Sequence, residues 1–262
     1  MRIQCYMPVL NEADILPHTL RHLHEQGVTV HVIDGWSTDG TWEAAAAADS
    51  RERFPGTADP INHHALILER IEQLAEDSDA DWCLYSDADE WRRSPFAGET
   101  LADGVARIDA RGYNAIDFHV FQFYCTKYDF SAELHNPEWW FQHYDESDCI
   151  SRIPNRKLWK NVGRVVLGGG GHEVVFPGLR VYPVKFTMKH YPFRTPDQAR
   201  AKIATRIARL DPAERAKGWG AHLDGYHEPF CWQPETLKFW RDTRSPLPEE
   251  STTRLIGAII TA

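Results

Sequence analysis

Over residues 1–90, short apolar runs alternate with stretches in which apolar side chains recur every third or fourth position. "RIQCYM" (2–7) reads as a strand, and "NEADILPHTLRHLHEQG" then carries Ile15, Leu16, Leu20 and Leu23 at helical spacing before Gly27. "VTVHVID" (28–34) is a second strand. "STDGTWEAAAAA" opens a further helix that Thr38, Asp39 or Thr41 can cap and the alanines propagate. Leu66, Ile67, Ile71 and Leu74 mark another helix in "NHHALILERIEQLAEDS". "DWCLYSDADEW" (81–91) then starts as a strand and runs directly into Asp87, Asp89 and Glu90.

This alternation predicts a parallel sheet with helices on its faces. The second half reads differently. "YNAIDFHVFQFYC" (113–125) predicts one long strand, and "HEVVF" and "RVYPVKFTMKHY" predict two more. "TPDQ" predicts a helix start in which Thr195 caps, Pro196 takes the first helical position and Gln198 completes a capping box. Ile203, Ile207 and Leu210 follow at helical spacing, a face expected to pack inward. With no repeat, low-complexity tract or interdomain linker, the expectation is a single α/β domain over 1–262, its first half covering 1–110 and an elaborated second half covering 111–262.

Composition narrows the classes. Cys5, Cys83, Cys125, Cys149 and Cys231 are odd in number and lack a C-x-x-C pair, which argues against a disulfide framework or zinc knuckle; Cys5 and Cys83 fall inside predicted strands as packed thiols. A formal charge of −9 argues against a general nucleic-acid binder. Met1-Arg2 leads straight into a strand without signal-peptide features, and "LIGAIITA" (255–262) is far short of the ~20 residues of a membrane span, so the chain reads as cytoplasmic. Trp139 and Trp140, with Phe141, follow Pro137 in an expected loop, either as packing under a lid or as a stacking platform for a ring-shaped ligand such as a sugar. His63-His64 and the pair His222/His227 lack a metal partner set and read as surface or packed residues.

The D-x-D spacing occurs at Asp77/Asp79, Asp79/Asp81 and Asp87/Asp89. The first two precede the apolar run and read as a solvated turn. The third stands at the carboxyl end of a strand, the edge where parallel sheets bind ligands. Asn11-Glu12 and Asp34 end the other two strands on that same edge. Clustered carboxylates repel unless a cation or proton intervenes, and hard oxygen ligands favour Mg²⁺ or Mn²⁺. "LGGGGHE" (167–173) has neither the Lys-Ser/Thr of a P-loop nor a Rossmann spacing. In "KHYPFRTPDQARAKI", Arg194, Lys202 and the helix start can offer positive charge and N–H groups to an anion. His190 can reach that anion or complete a metal's coordination; the alternative is a structural corner in which Arg194 pairs with an acid.

"MPVLNEADILPHTLRHL", "VIDGWSTDGTWE" and "DWCLYSDADEW", in this order, resemble the family-two glycosyltransferases of GT-A fold, and "KLWK", "GGHEV" and "KHYPFRTPDQARAKI" resemble a bacterial branch. The resemblance implies a GT-A-like, Rossmann-related mixed sheet and inverting transfer of a sugar from a nucleotide-sugar donor, read here as a UDP-sugar, to an unidentified acceptor hydroxyl. It implies Asp87 and Asp89 as metal ligands for Mn²⁺ or Mg²⁺, Asp87 alternatively touching the ribose, and Pro8, Glu12, Asp34 and Asp39 at the base- and ribose-binding positions. Glu173 is the nearest match to the catalytic base, with His172 its competitor. Nucleotidyl transfer to a sugar phosphate and non-catalytic carbohydrate binding are the alternatives; "MPVLNEADI" lacks the Gly-rich, basic first loop of the former.

Overall fold

The computed structural model describes residues 1–54, 64–127, 129, 136–145, 154–216, 218, 220 and 230–240. The expectations for Cys149, His63, His222, His227 and residues 255–262 lie outside them. The first sheet contains β1 (Ile3–Val9), β2 (Val28–Asp34), β3 (Ser50–Arg53), β4 (Trp82–Tyr85), β6 (Ala115–Ile116) and β9 (Leu158–Lys160) in the order β3-β2-β1-β4-β9-β6. The second contains β5 (Glu90–Arg93), β7 (Phe118–Tyr124), β8 (His143–Asp145), β12 (Phe186–Phe193) and β13 (Lys238–Phe239) in the order β13-β8-β7-β12-β5. A small hairpin joins β10 (Val166–Gly168) to β11 (Glu173–Val175). Strands β3, β2, β1 and β4 run parallel, whereas β9 is antiparallel to β4 and β6.

One apolar core spans both sheets, from Ile3, Val30 and Trp82 through Leu16, Leu20 and Leu23 of the helix Leu16–Glu25 to Phe118, Phe121 and Phe123. Cys5 and Cys83 are fully buried thiols, as their strand positions require. Burial pushes both up to about 12, which keeps them unreactive.

Several elements differ from the sequence reading. The strand expected over 113–125 divides at Asp117, whose carboxylate accepts from the Phe118 and Asn155 N–H groups at 2.8 Å each, so that β6 and β7 join different sheets. The last predicted strand occupies Phe186–Phe193, later than "RVYPVKFTMKHY" suggested. The alanine-rich helix is only Thr41–Ala44 plus a 3-10 turn Ala45–Ala47; its cap position is Gly40, at φ 96°, and Asp39 supports it by accepting from the Thr41 N–H at 3.0 Å. Thr195 does cap the helix Pro196–Ala208, but Gln198 accepts from Arg194 N–H at 3.1 Å, one residue outside a capping box. On that helix Ile203 is buried while Ile207 is 47% exposed, because the inward face covers less of the helix than its apolar spacing suggests. Trp139 and Trp140 belong to a one-turn helix, Pro137–Trp140.

His22 lies beneath the second sheet, stacked on Trp91 at 4.4 Å, with Nε2 3.0 Å from the Arg92 carbonyl. Burial, reinforced by Arg93, pushes its imidazole down from 6.5 to about 4. The unfolded chain therefore takes up a proton between those values that the folded chain refuses. This contribution to stability is complete above pH 6.5 and erodes as the pH falls from 6.5 to about 4. Urea midpoints measured across that range should fall more steeply for the wild type than for His22→Gln; equal slopes would contradict the assignment.

Candidate active site

Because β1, β2 and β4 are parallel neighbours, Asn11-Glu12, the segment Asp34–Asp39 and Asp87–Asp89 emerge on one edge. Asn11 (φ 53°) and Trp36 (φ 66°) are left-handed non-glycine residues at that edge, a conformation that surrounding contacts must enforce. Asn11 N–H donates to Ser37 Oγ and Thr38 N–H donates to Asn11 Oδ1, both at 2.9 Å. Glu12 N–H donates to Thr41 Oγ1 at 2.8 Å and Ala13 N–H to Asp39 Oδ2 at 3.1 Å. Asp39 thus stitches the first two loops together. Pro8, half-buried, pairs in register with Ile33 just before Asp34.

Asp34 is fully buried. Its Oδ2 accepts from the Trp36 and Ser37 N–H groups at 3.0 and 3.1 Å and from Arg53, whose guanidinium lies over Trp42 and Trp36 at 4.5 and 5.3 Å. Its Oδ1 is buried with no hydrogen-bond partner among the described residues. An acceptor held this rigidly and left unsatisfied is costly unless a ligand donates to it.

At the other side of Glu12 an ionic cluster forms. Arg194, fully buried, donates to Glu12 Oε2 at 2.6 Å, to both Asp14 oxygens at 2.7 Å and to the Tyr191 carbonyl at 3.1 Å. Lys202 Nζ lies 2.6 Å from Glu12 Oε1 and 2.7 Å from Asp89 Oδ2, and His190 Nε2 lies 3.5 Å from Asp89 Oδ1. Burial alone would raise the Asp89 carboxyl, but Lys202, His190 and Arg194 hold it well below the usual carboxylate range. The sequence expectation of cations near the D-x-D acids therefore meets a closed set of ion pairs, reaching from Glu12 and Asp14 to Asp89.

A second network was missed by the sequence reading. Lys157, fully buried, donates to Glu90 Oε1 at 2.9 Å and to Asp87 Oδ2 at 3.3 Å, and stands 4.5 Å from the Tyr85 ring centre. Arg92 donates to Glu90 Oε2 at 2.6 Å, and Tyr85 donates from its hydroxyl to Asp87 Oδ1 at 3.3 Å. Burial opposes the charge on Glu90, yet Lys157 and Arg92 hold its carboxyl far below the ordinary value. The only local signal was a lysine opening the short apolar run "KLW", whose partners are 67 and 70 residues away. Asp87 is the more open acid, its side chain 37% exposed.

The glycine run lies against this network. A Cβ on Gly171 (φ 87°) would fall 2.4 Å from Tyr85 Cε1 and 2.9 Å from Leu68 Cδ2, so only glycine lets the segment sit on Tyr85. His172 follows at once. Desolvation by its surroundings, then the Lys157 charge, lowers its imidazole below 6.5, although the residue as a whole is exposed. Glu173 is tied to Arg156 by an ion pair. Trp139 is 75% exposed, and Trp140 donates from Nε1 to the Asp129 carbonyl at 2.6 Å. Their turn is anchored through buried Glu138, paired with Lys189 at 2.8 Å and Arg93 at 2.6 Å, so the structure ties both tryptophans to the second sheet.

Among the described residues no group of three or more His, Cys, Asp or Glu side chains is arranged to hold a metal ion. Asp89 and His190 nevertheless suit one chemically, a hard carboxylate and an imidazole at a place where Lys202 shows that a cation is accommodated, whereas Asp87, also expected as a ligand, is engaged by Lys157 in the second network. A divalent ion here would take its remaining ligands from phosphate oxygens and water.

A family model described as Glycosyl transferase family 2 matches residues 5–171. The chain belongs to that family. It is a glycosyltransferase, and the mixed sheets flanked by helices are GT-A-like. The family assignment implies a nucleotide-sugar donor and an acceptor. The match covers Asp34, Asp87 and Asp89 and stops at Gly171; the places of His172, Glu173, His190, Arg194 and Lys202 in this glycosyltransferase rest on geometry alone. No curated protein matches the chain. Among solved structures, one similar chain is described as a glucose-1-phosphate thymidylyltransferase from Bacillus anthracis in complex with sucrose, 11% identical, covering 82% of this chain and 78% of that one at a TM-score of 0.31. Likeness at that level carries no argument. No helix among the described residues is long and apolar enough to cross a membrane.

Proposed function

We propose that this glycosyltransferase moves a sugar from a UDP-sugar to an acceptor hydroxyl with inversion, in a metal-dependent single displacement. The observation that carries the reading is the shared strand edge, where the unsatisfied Asp34 Oδ1 stands on the same rim as Asp87 and Asp89. The first offers a hydrogen-bond acceptor to a nucleoside; the others offer charge for a diphosphate's counter-ion. In this reading Pro8, Glu12 and Asp39 frame the nucleoside end, and Asp87, Asp89 and His190 hold Mn²⁺ or Mg²⁺. Bound there, the metal neutralises charge growing on the leaving diphosphate. Arg194 acts at a distance, fixing Glu12 and Asp14, and Lys202 adds positive charge on the diphosphate side. Trp139 and Trp140 offer aromatic faces to the acceptor.

The base must lie within hydrogen-bond reach of the acceptor hydroxyl. Glu173 and His172 remain the pair to compare, and the Arg156 contact, which engages one Glu173 oxygen, favours the neutral imidazole of His172. His172→Gln should then cut turnover by about 10²-fold or more with donor affinity retained, while Glu173→Gln costs less; the reverse order would return the role to Glu173.

The reading as a whole is tested by thermal shift with UDP, GDP, CDP and dTDP, each with and without Mn²⁺. UDP with Mn²⁺ at about a hundred times its dissociation constant should stabilise the protein by about 2.7 kcal/mol. UDP-sugars should also release UDP on addition of candidate acceptors. Preference for another base would overturn the UDP assignment, and equal binding with chelator would overturn the metal.

A further inference from the structure

We infer that Lys202 is a tethered counter-cation that holds the divalent ion's place beside Asp89 until the donor arrives, so that metal and nucleoside diphosphate load together. The inference rests on the donor and metal reading above. Lys202 Nζ is 2.6 Å from Glu12 Oε1 and 2.7 Å from Asp89 Oδ2, and its side chain is only 9% exposed. Without it, two buried carboxylates would face each other across the space that its ammonium fills, an arrangement that is costly unless one of them protonates or another cation enters.

The compensation is asymmetric. Glu12 keeps Arg194 at 2.6 Å when Lys202 leaves, whereas among the described residues Asp89 keeps only His190 at 3.5 Å as a direct side-chain partner. Departure of Lys202 therefore leaves Asp89, not Glu12, as the carboxylate in need of a cation. The backbone beneath Lys202 is fixed, because it stands in the second turn of a helix that Thr195 caps and Ile203 and Ala199 anchor in apolar contacts. Only the flexible four-carbon stem can move. A divalent ion arriving alone must displace the ammonium from Asp89 and leave it without a second anionic partner beside Glu12, which Arg194 already neutralises. A diphosphate arriving with the ion supplies that partner. The coupling is reciprocal, so each ligand should strengthen the other by the same factor.

Calorimetric titration of wild type and Lys202→Met with Mn²⁺ alone, UDP alone, and each in the presence of the other tests this. In the wild type, UDP should tighten Mn²⁺ binding at least ten-fold. In Lys202→Met, Mn²⁺ alone should bind several-fold tighter than to the wild type, UDP alone should bind more weakly, and the mutual enhancement should shrink. The opposite signs matter, since a merely structural lysine would weaken both ligands. Lys202→Gln, which keeps a hydrogen-bond donor toward Glu12, replaces the Met variant if that fails to fold. Mn²⁺ binding that is unchanged or weaker in the variant, alongside normal metal-assisted UDP binding in the wild type, would overturn the placeholder role and leave the donor reading standing. Failure of the wild type to bind UDP with Mn²⁺ at all would overturn both.

Discussion

Asp89→Asn is expected to lower kcat/KM by about 10³-fold while the protein stays folded, the loss that follows when a charge directed at the leaving group is removed. The substitution keeps the side chain's volume but takes away the charge that faces Lys202 Nζ at 2.7 Å and His190 Nε2 at 3.5 Å. Folding should tolerate the change because Lys202 retains Glu12 at 2.6 Å. Chelation of the wild type should bring its activity down to that of the variant, and chelation should have little further effect on the variant. UDP release assays with and without chelator, beside a melting curve for each protein, make the comparison. Activity that survives chelation would remove the metal from the mechanism, and a variant that is unfolded would assign Asp89 to structure.

The largest stability loss is expected from Lys157→Met. Its ammonium is buried between Glu90 and Asp87 and faces the Tyr85 ring, so its removal strands Glu90 with Arg92 as its remaining cation. Breaking one member of a buried ion network costs about 3–5 kcal/mol, readable as a shift of the urea midpoint at constant slope. The pH dependence has a defined sign. In the wild type Glu90 is held below its ordinary 4.5, so its contribution is present above that value and is lost as the pH falls further. Without Lys157 the folded Glu90 carboxyl titrates higher, and the stability gap between variant and wild type should narrow at acidic pH. Glu90→Gln combined with Lys157→Met should cost less than the two single losses added together, a partial recovery that reflects their shared ion pair, although Arg92 then also loses its carboxylate. A gap that is independent of pH, with no recovery in the double variant, would mean that Lys157 contributes packing alone.

Sequence by itself determined the elements whose cause is local. The apolar runs of β1, β2 and β4, the helix between the first two and the cap at Thr195 all follow from periodicity and side-chain capping within a few residues, and each is present. The parallel order of those strands followed from their alternation with helices, and it places Glu12, Asp34 and Asp87–Asp89 on one edge. Only the tertiary structure decided what faces each acid there. Arg194 meets Glu12 across 182 residues, Lys202 meets Asp89 across 113, and Lys157 meets Glu90 across 67. No spacing rule along the chain encodes such encounters. The division of residues 113–125 at Asp117 was hidden for the same reason: an apolar strand pattern is identical whichever sheet receives it, and the partners β9 and β12 that divide it lie far along the chain. Charge compensation is a property of the folded interior, where low dielectric makes each unpaired carboxylate costly, so the chain specified the acids and folding specified their counter-ions.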